Sequence, residues 1–412
     1  MNLFRRPWGF SEGFCLGAGL LAAGLLLQFL LGAVRWEALA WPLNICLVFV
    51  FTGLLAAAFL FRGKIYAVRW AMTGKAAVPA IVFVLSLTLL MGLIRQLPDF
   101  SRSPRVGGLR KMLSFWPFVL SYAWMLCILG LVSMHHFRNL AWKRLPFFLS
   151  HCGLFVALLS AAAGKADMQR LRMRVGEGQA ERRAFDEKGE LHELPFSIVL
   201  HDFRLEEYPP KLVVVDNHAG TVLPEGKPEW MELGHLPSHG CLSGWQIHVL
   251  ESFDKARPVM EDDSLRYVEW PGDGAVTAAC VLAVSADFRD SIAGWVGCGS
   301  HRFPLQALLL DSRHSLAMPV REKRRYLSEV VVCTPDGSEI PMEIEVNKPA
   351  AVGEWKIYQA GYDARKGRWS DVSVFEIVSD PWLPAVYAGI GLMFAGALGM
   401  FVAVQRCRKE VV

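Results

Sequence analysis

Six apolar runs, each long enough to cross a bilayer as a helix, constrain this chain more than any other feature. They cover residues 14–34, 42–61, 78–94, 112–134, 145–164 and 382–405, and Asp, Glu, Lys and Arg occur only at their borders. A hydrocarbon core about 30 Å thick takes about 20 helical residues at about 1.5 Å each. Only a helix satisfies its own backbone groups over such a length in lipid. The expected fold class is therefore an integral membrane α-helical protein with six spans. Arg5 and Arg6 before the first run resemble the start of a signal peptide. No small-residue cleavage site follows, and a second run comes at once, so the first span is expected to stay in place.

Basic residues in short loops set the expected orientation. The N-terminus carries two, residues 62–77 four, residues 135–144 three and the tail after 405 three; the two opposite short loops carry six. Both termini are expected in the cytoplasm, although Arg95, Arg102, Arg105, Arg110 and Lys111 run against the rule. This parity depends on the 17-residue third run spanning. The formal net charge of +4 on 412 residues is too small to point to a nucleic-acid partner.

Residues 165–381 differ in character: eight of the 11 His fall here, and no long apolar run does. Strand-like stretches occur at 196–205, 212–216, 245–253, 276–284, 329–332, 342–346, 355–360 and 372–378, with turn signals at Pro209-Pro210, Pro271-Gly272 and Asp336-Gly337. A mainly-β domain, a sandwich or open barrel, is expected between the fifth and sixth spans, on the extracytoplasmic side. Its four cysteines, Cys241, Cys280, Cys298 and Cys333, allow three disulfide pairings between which the sequence does not choose. Cys15, Cys46, Cys127 and Cys152 lie in the spans and Cys407 in the tail. There is no C-x-x-C, so a thioredoxin-like redox role is disfavoured.

His151 is the most informative single position. It lies about six residues, or about 9 Å, inside the fifth span, where an ionisable ring needs a partner or must stay neutral. The neutral imidazole is also the form that coordinates iron or zinc. The plainer reading is a hydrogen bond to a hydroxyl or carbonyl. Gly153, Ala157 and Ala161 recur every fourth residue as a seam for close helix packing, whereas His151 shares its face with Phe155, Leu158 and Ala162. His135 and His136, at the end of the fourth span, read first as interfacial residues. His235-Leu-Pro-Ser-His239 has metal-like spacing, but Pro237 breaks the helix that would align the rings. Cys298-Gly-Ser-His301 lacks the second Cys of a haem-attachment site. Trp116, Pro117, Tyr122 and Trp124 read as belt and packing residues before they read as the lining of a flat ligand. No Walker loop, dinucleotide fingerprint, nucleophile elbow or His-Glu-x-x-His is present, and no catalytic residues stand out.

From about residue 91 onward the chain resembles the ResB-like (CcsB/ResB) family of system II cytochrome c biogenesis proteins. Glu343-Ile-Glu-Val346-Asn347-Lys-Pro349, then Gly353-Glu-Trp-Lys-Ile-Tyr358-Gln359-Ala-Gly-Tyr362, then Asp380-Pro381 leading into Val386-Tyr-Ala-Gly389, is similar to that family's elements before its last helix. Leu194 to Tyr208 resembles its first domain strand, and Ser150-His151-Cys-Gly153 its His-bearing helix. The resemblance implies a four-part organisation: two extra N-terminal helices and a loop (1–77), a three-helix core (78–164), the β domain (165–381), and a last helix with its tail (382–412). It further implies a haem-handling subunit of a cytochrome c synthase that carries haem b, held transiently and without a covalent bond, with His151 as an axial ligand. The implied partners are a CcsA-type membrane subunit bearing a tryptophan-rich segment, apocytochrome c and the lipid bilayer of the cytoplasmic (inner) membrane. The alternative reading is a non-catalytic membrane scaffold whose β domain binds an assembly partner without touching haem.

Overall fold

The computed structural model describes residues 6–97, 107–138, 140–142, 144–234, 238–287 and 289–409, with side chains in the last helix only as far as 402. Arg5, Arg102, Arg105, Lys143, His235 to Pro237, and the side chains of Arg406, Cys407, Arg408 and Lys409 lie outside the described residues. The chain divides into two units, a helical one (1–170 and 378–412) and a β one, Leu171–Ile377.

The helices are α1 (Phe10–Leu31), α2 (Leu43–Leu60), the short α3 (Tyr66–Ala71), α4 (Gly74–Leu93), α5 (Trp116–Arg138), α6 (Leu145–Gly164) and α7 (Leu383–Lys409). Six of them are long and apolar enough to cross a membrane, in the order of the six apolar runs. Their ends differ from the apolar borders where local bonding decides. α1 starts at Phe10 instead of 14 because Glu12 reaches back to the Gly9 amide at 2.7 Å, a capping interaction that draws a carboxylate into the first turn. α4 has 20 residues, not 17, since the helix begins at Gly74. α5 starts at Trp116, after a 3₁₀ stretch (Gly107–Ser114), and continues to Arg138.

These helices associate through small residues, which let their backbones approach closely. A Cβ on Gly13 would lie 2.6 Å from the Pro79 ring, on Gly17 2.0 Å from the Phe83 ring, and on Gly24 2.6 Å from Pro117 backbone, so α1 lies close against α4 and α5. The Gly153–Ala157 seam of α6 meets α7: a Cβ on Gly389 would sit 2.5 Å from Ala157 N and 2.7 Å from Gly153 O.

In the β unit, β1 (Gln169–Gly176), β2 (Ala180–Asp186) and β3 (Leu191–Glu207) come first. Then follow β4 (Lys211–Asp216), β5 (Met231–Glu232), β6 (Ser238–Leu242), β7 (Trp245–Glu261), β8 (Ser264–Glu269), β9 (Val276–Ser285), β10 (Ser291–Gly297), β11 (Leu308–Leu309) and β12 (His314–Ala317). Last come β13 (Lys323–Cys333), β14 (Glu339–Glu345), β15 (Ala350–Val352), β16 (Trp355–Tyr362) and β17 (Val372–Ser379). Seven of the eight stretches expected from sequence fall within strands; the eighth, 342–346, overruns β14 by one residue, because the chain turns at Val346.

An eight-stranded sheet runs β14-β13-β3-β2-β1-β17-β16-β15. One core draws on Ile344 from one end of this sheet and Ile357 from near the other, with Met173, Ile198 and Phe375 between, so the sheet curls upon itself. Ser328 on β13 makes the same point. Its hydroxyl donates to Gln359 Oε1 on β16 and lies 2.7 Å from the Ser373 hydroxyl on β17, across the sheet order and fully buried. A hydroxyl in such a core needs partners, and Gln359 completes the set by donating to Gly361 O.

Between β3 and β13 the chain builds a second lobe, in which a β10-β9-β7-β6 sheet with β8 packs on a β11-β12-β4-β5 sheet. Leu212, Val214 and Leu316 from the smaller sheet share one core with Ile247, Val281 and Val296 of the larger. The domain is thus a curled sheet and a sandwich together. Arg321, on the return segment, ties the lobes: it donates to Tyr208 O and pairs with Glu207 at 3.5 Å and Asp254 at 2.6 Å. Arg368 adds a bond to Asp254 O.

Asp216, at the end of β4, carries the clearest pH signature of this lobe. The Ala219 and His218 amides, followed by the Arg313 guanidinium, hold its carboxyl at about 2. A lowered folded-state value adds stability above the unfolded value of about 3.9, lost as pH falls toward 2. The β domain is expected to lose thermal stability between about pH 4 and pH 2, with Asp216→Asn flattening that slope. Unfolding curves taken across this range check it, and equal slopes in both proteins would contradict it.

Candidate functional site

The α6 sequence places Pro146 in the first turn and His151 one turn beyond Phe147. The His151 ring folds back along its own helix. Its Nδ1 lies 3.0 Å from Phe147 O, and the ring stacks on Phe147 with centroids 4.0 Å apart and planes at 26°. A carbonyl can only accept, so Nδ1 carries the proton, and in the neutral ring Nε2 keeps its lone pair. The bond that satisfies this half-buried imidazole therefore leaves it a ligand-competent nitrogen.

A second imidazole stands beside it. Because α5 runs to Arg138, His136 comes to 6.2 Å from His151 between ring centroids, at 45°, and packs edge-on against Phe147 at 4.5 Å. His135 is 5.5 Å from His136. Residue spacing separates His151 from the Gly153–Ala157 seam. Accordingly the seam meets α7, whereas Phe155 meets Gly130 of α5 and His151 meets His136 on the same helix. Among the described residues of this unit, cavities of about 280, 370 and 640 Å³ are lined by other residues.

The other sequence candidates separate. Trp116 donates to Gly32 O and Tyr122 to Leu158 O, so they tie α5 to the end of α1 and to α6 and line no common site. Val346 and Asn347 form the turn between β14 and β15, where Lys348 pairs with Glu345 at 3.1 Å and Pro349 leads into β15. Tyr358, Gln359 and Tyr362 lie on β16: Gln359 belongs to the buried polar set above, and Tyr362 stacks on Phe203 at 5.0 Å. Asp380 accepts from the Trp382 amide at the entry to α7, with Pro381 between them. His239 faces His248 across β6 and β7. Cys298 is a buried thiol, its pKa raised by burial, and His301 lies 3.5 Å from Asp273. The four domain cysteines, for which three pairings were open, are all free thiols. Among the described residues, one group of three possible metal ligands lies within 4.8 Å, Asp186, Glu190 and His192 on the β2–β3 hairpin.

One cluster has no signal in the sequence. Asp167, just past α6, accepts from the Trp41 amide at 2.7 Å, Asn44 Nδ2 at 2.6 Å and the Trp382 indole at 2.7 Å, joining the starts of α2 and α7 to the end of α6. Burial pushes its carboxyl up, and these three donors together bring it below the usual range. Asp167→Ala is expected to cost about 2–3 kcal/mol by stranding the donors, with Asp167→Asn intermediate. Thermal unfolding of the detergent-solubilised protein measures this, and an unshifted midpoint for Asp167→Ala would show that the cluster does not clamp the helices.

No family model matches the chain, and no curated protein matches it.

Proposed function

We propose that this protein is a haem-handling subunit of a system II cytochrome c synthase, of the ResB-like kind. In this reading it sits in the cytoplasmic membrane with both termini inside and the β domain outside. Haem b is its cargo, received in the membrane and passed on with a CcsA-type partner to the Cys-x-x-Cys-His site of an apocytochrome c. The observation that carries the reading is the Nδ1 bond of His151 to Phe147 O, which leaves Nε2 available beside a second imidazole.

The residues fit such a cargo. A porphyrin brings four nitrogens of its own, so the protein needs to offer only one or two axial donors, and His151 meets that requirement without a larger ligand cluster. The Phe147 carbonyl fixes the ring's tautomer and orientation. The Phe147 ring supplies an aromatic face against which the imidazole is held. Haem when bound supplies the iron centre and the vinyl groups; the chain's own residues bind and orient it in surroundings poor in water. The β domain, with two lobes clamped by Arg321 and Arg368, offers the surface for partner and substrate outside the bilayer.

Co-expression with a CcsA-type partner and a reporter apocytochrome tests the proposal. Covalent haem on the reporter is expected to require this chain and to fall at least about ten-fold with His151→Ala, since removing even a hydrogen-bond partner of a metal ligand costs about ten-fold or more. The scaffold alternative finds favour in the β unit being a separate unit with cores of its own. It predicts full maturation with His151→Ala and loss only when the β domain is removed.

A further inference from the structure

A cavity of about 640 Å³ opens where the segment before α1 meets α3 and the start of α4; its lining includes Trp8, Phe10, Arg69, Trp70, Lys75 and Val78. The charged side chains in its wall, Arg69 and Lys75, are both basic and both exposed. Neither forms an ion pair among the described residues. Arg69 lies 5.6 Å from the centroid of the Tyr66 ring, and Arg6 stands 4.6 Å from the same ring, which adds a third positive charge nearby. The neighbouring acid, Glu12, is engaged with the Gly9 amide at 2.7 Å and the Ser11 hydroxyl at 2.9 Å.

Two further features share this wall. α4, a 20-residue helix, begins at Gly74 within it. The residue before that helix, Thr73, does not cap it, because its hydroxyl donates to Trp70 O at 2.7 Å. The positive end of the helix dipole therefore adds to the field of Arg69 and Lys75. Phe10 and Val78, in the same lining, are 49% and 46% exposed, so the basic cavity has an apolar lip.

We propose that this cavity holds the phosphate-bearing headgroup of an anionic phospholipid, with the start of its acyl chains against Phe10 and Val78. Basic pockets between apolar helices at a membrane surface suit such headgroups, and each basic side chain near the surface strengthens binding about five-fold. The charge selects anionic over zwitterionic lipid, and the apolar lip selects a lipid over free phosphate. The inference rests on the long helices lying in a bilayer, a reading that alkaline carbonate extraction tests separately.

The direct test places the full-length protein in nanodiscs of phosphatidylglycerol and phosphatidylcholine and counts retained lipids by native mass spectrometry. The wild type is expected to retain phosphatidylglycerol preferentially. Arg69→Gln with Lys75→Gln is expected to reduce that retention about 25-fold. Arg69→Lys with Lys75→Arg should restore it, and Arg62→Gln, outside the cavity, should leave it unchanged. Equal retention of the two lipids, or undiminished retention in the double Gln variant, would overturn the site. Displacement of the lipid by millimolar inorganic phosphate would overturn the lipid as occupant. Release of the protein by carbonate would overturn the bilayer reading itself, whereas protein that stays in the pellet without lipid preference would overturn only this site.

Discussion

Gly389→Leu is expected to lose most of the folded protein, whereas Gly391→Leu, two residues away on the same helix, is expected to be silent. A Cβ at 389 would meet Ala157 N at 2.5 Å and Gly153 O at 2.7 Å, while one at 391 meets nothing within 4 Å. The opposing atoms at 389 are backbone, so no rotamer change relieves the clash, and α7 must move away from α6. Overpacking costs about 1–3 kcal/mol where side chains can shift, and here the upper end or more is expected. Gly396→Leu should behave likewise, since its Cβ would lie 2.5 Å from Ser150 N, the residue next to His151. Recovery of monodisperse protein from detergent and its unfolding midpoint measure the effect; equal behaviour of the 389 and 391 variants would contradict the seam.

This contrast also shows what local sequence carries and what it does not. Crossing a bilayer is a matter of length and polarity, so six apolar runs announce six long helices. The small-residue period on α6 is legible for the same local reason, but its partner, α7, lies more than 200 residues away. Strands rich in β-branched residues were visible. β1 lies outside the expected stretches although Leu171, Met173 and Val175 face inward between outward Arg170, Arg172 and Arg174, an alternation that reads as a strand once arginine is accepted on its exposed face. The sandwich lobe between β3 and β13 leaves no trace in composition, because both lobes use the same strand chemistry and differ in long-range pairing.

At the candidate site the imidazole itself was legible, since a histidine inside an apolar run needs a reason. Its environment was not. The approach of His136 depends on where α5 ends and how α5 and α6 cross, and Asp167 gathers its three donors from segments far apart in the chain. Gln359 stood out within a motif, and its place among Ser328 and Ser373 gives that motif a structural role in the curled sheet.

Loss of the His151 imidazole has the second large expected effect, and it bears on the proposed haem binding without removing the fold. His151→Gly deletes the ring, its Nδ1 bond and its stacking on Phe147 while leaving the seam on the opposite face with its partners. The hole so formed admits free imidazole, which can replace the donor without the backbone tether. A structural histidine would show no such rescue in a haem signal, because imidazole restores a ligand and not a helix. His136→Ala separates the two rings: a shifted spectrum with haem retained would mark it as a neighbour, and loss of haem would mark it as a second ligand. The most direct measurement is the visible absorption spectrum of the protein co-purified with the proposed CcsA-type partner. The account predicts a b-type haem spectrum in the wild type, a diminished or altered one in His151→Gly, and recovery on adding imidazole. A spectrum unchanged by His151→Gly, or a complex that matures cytochrome c while carrying no haem at all, would contradict it.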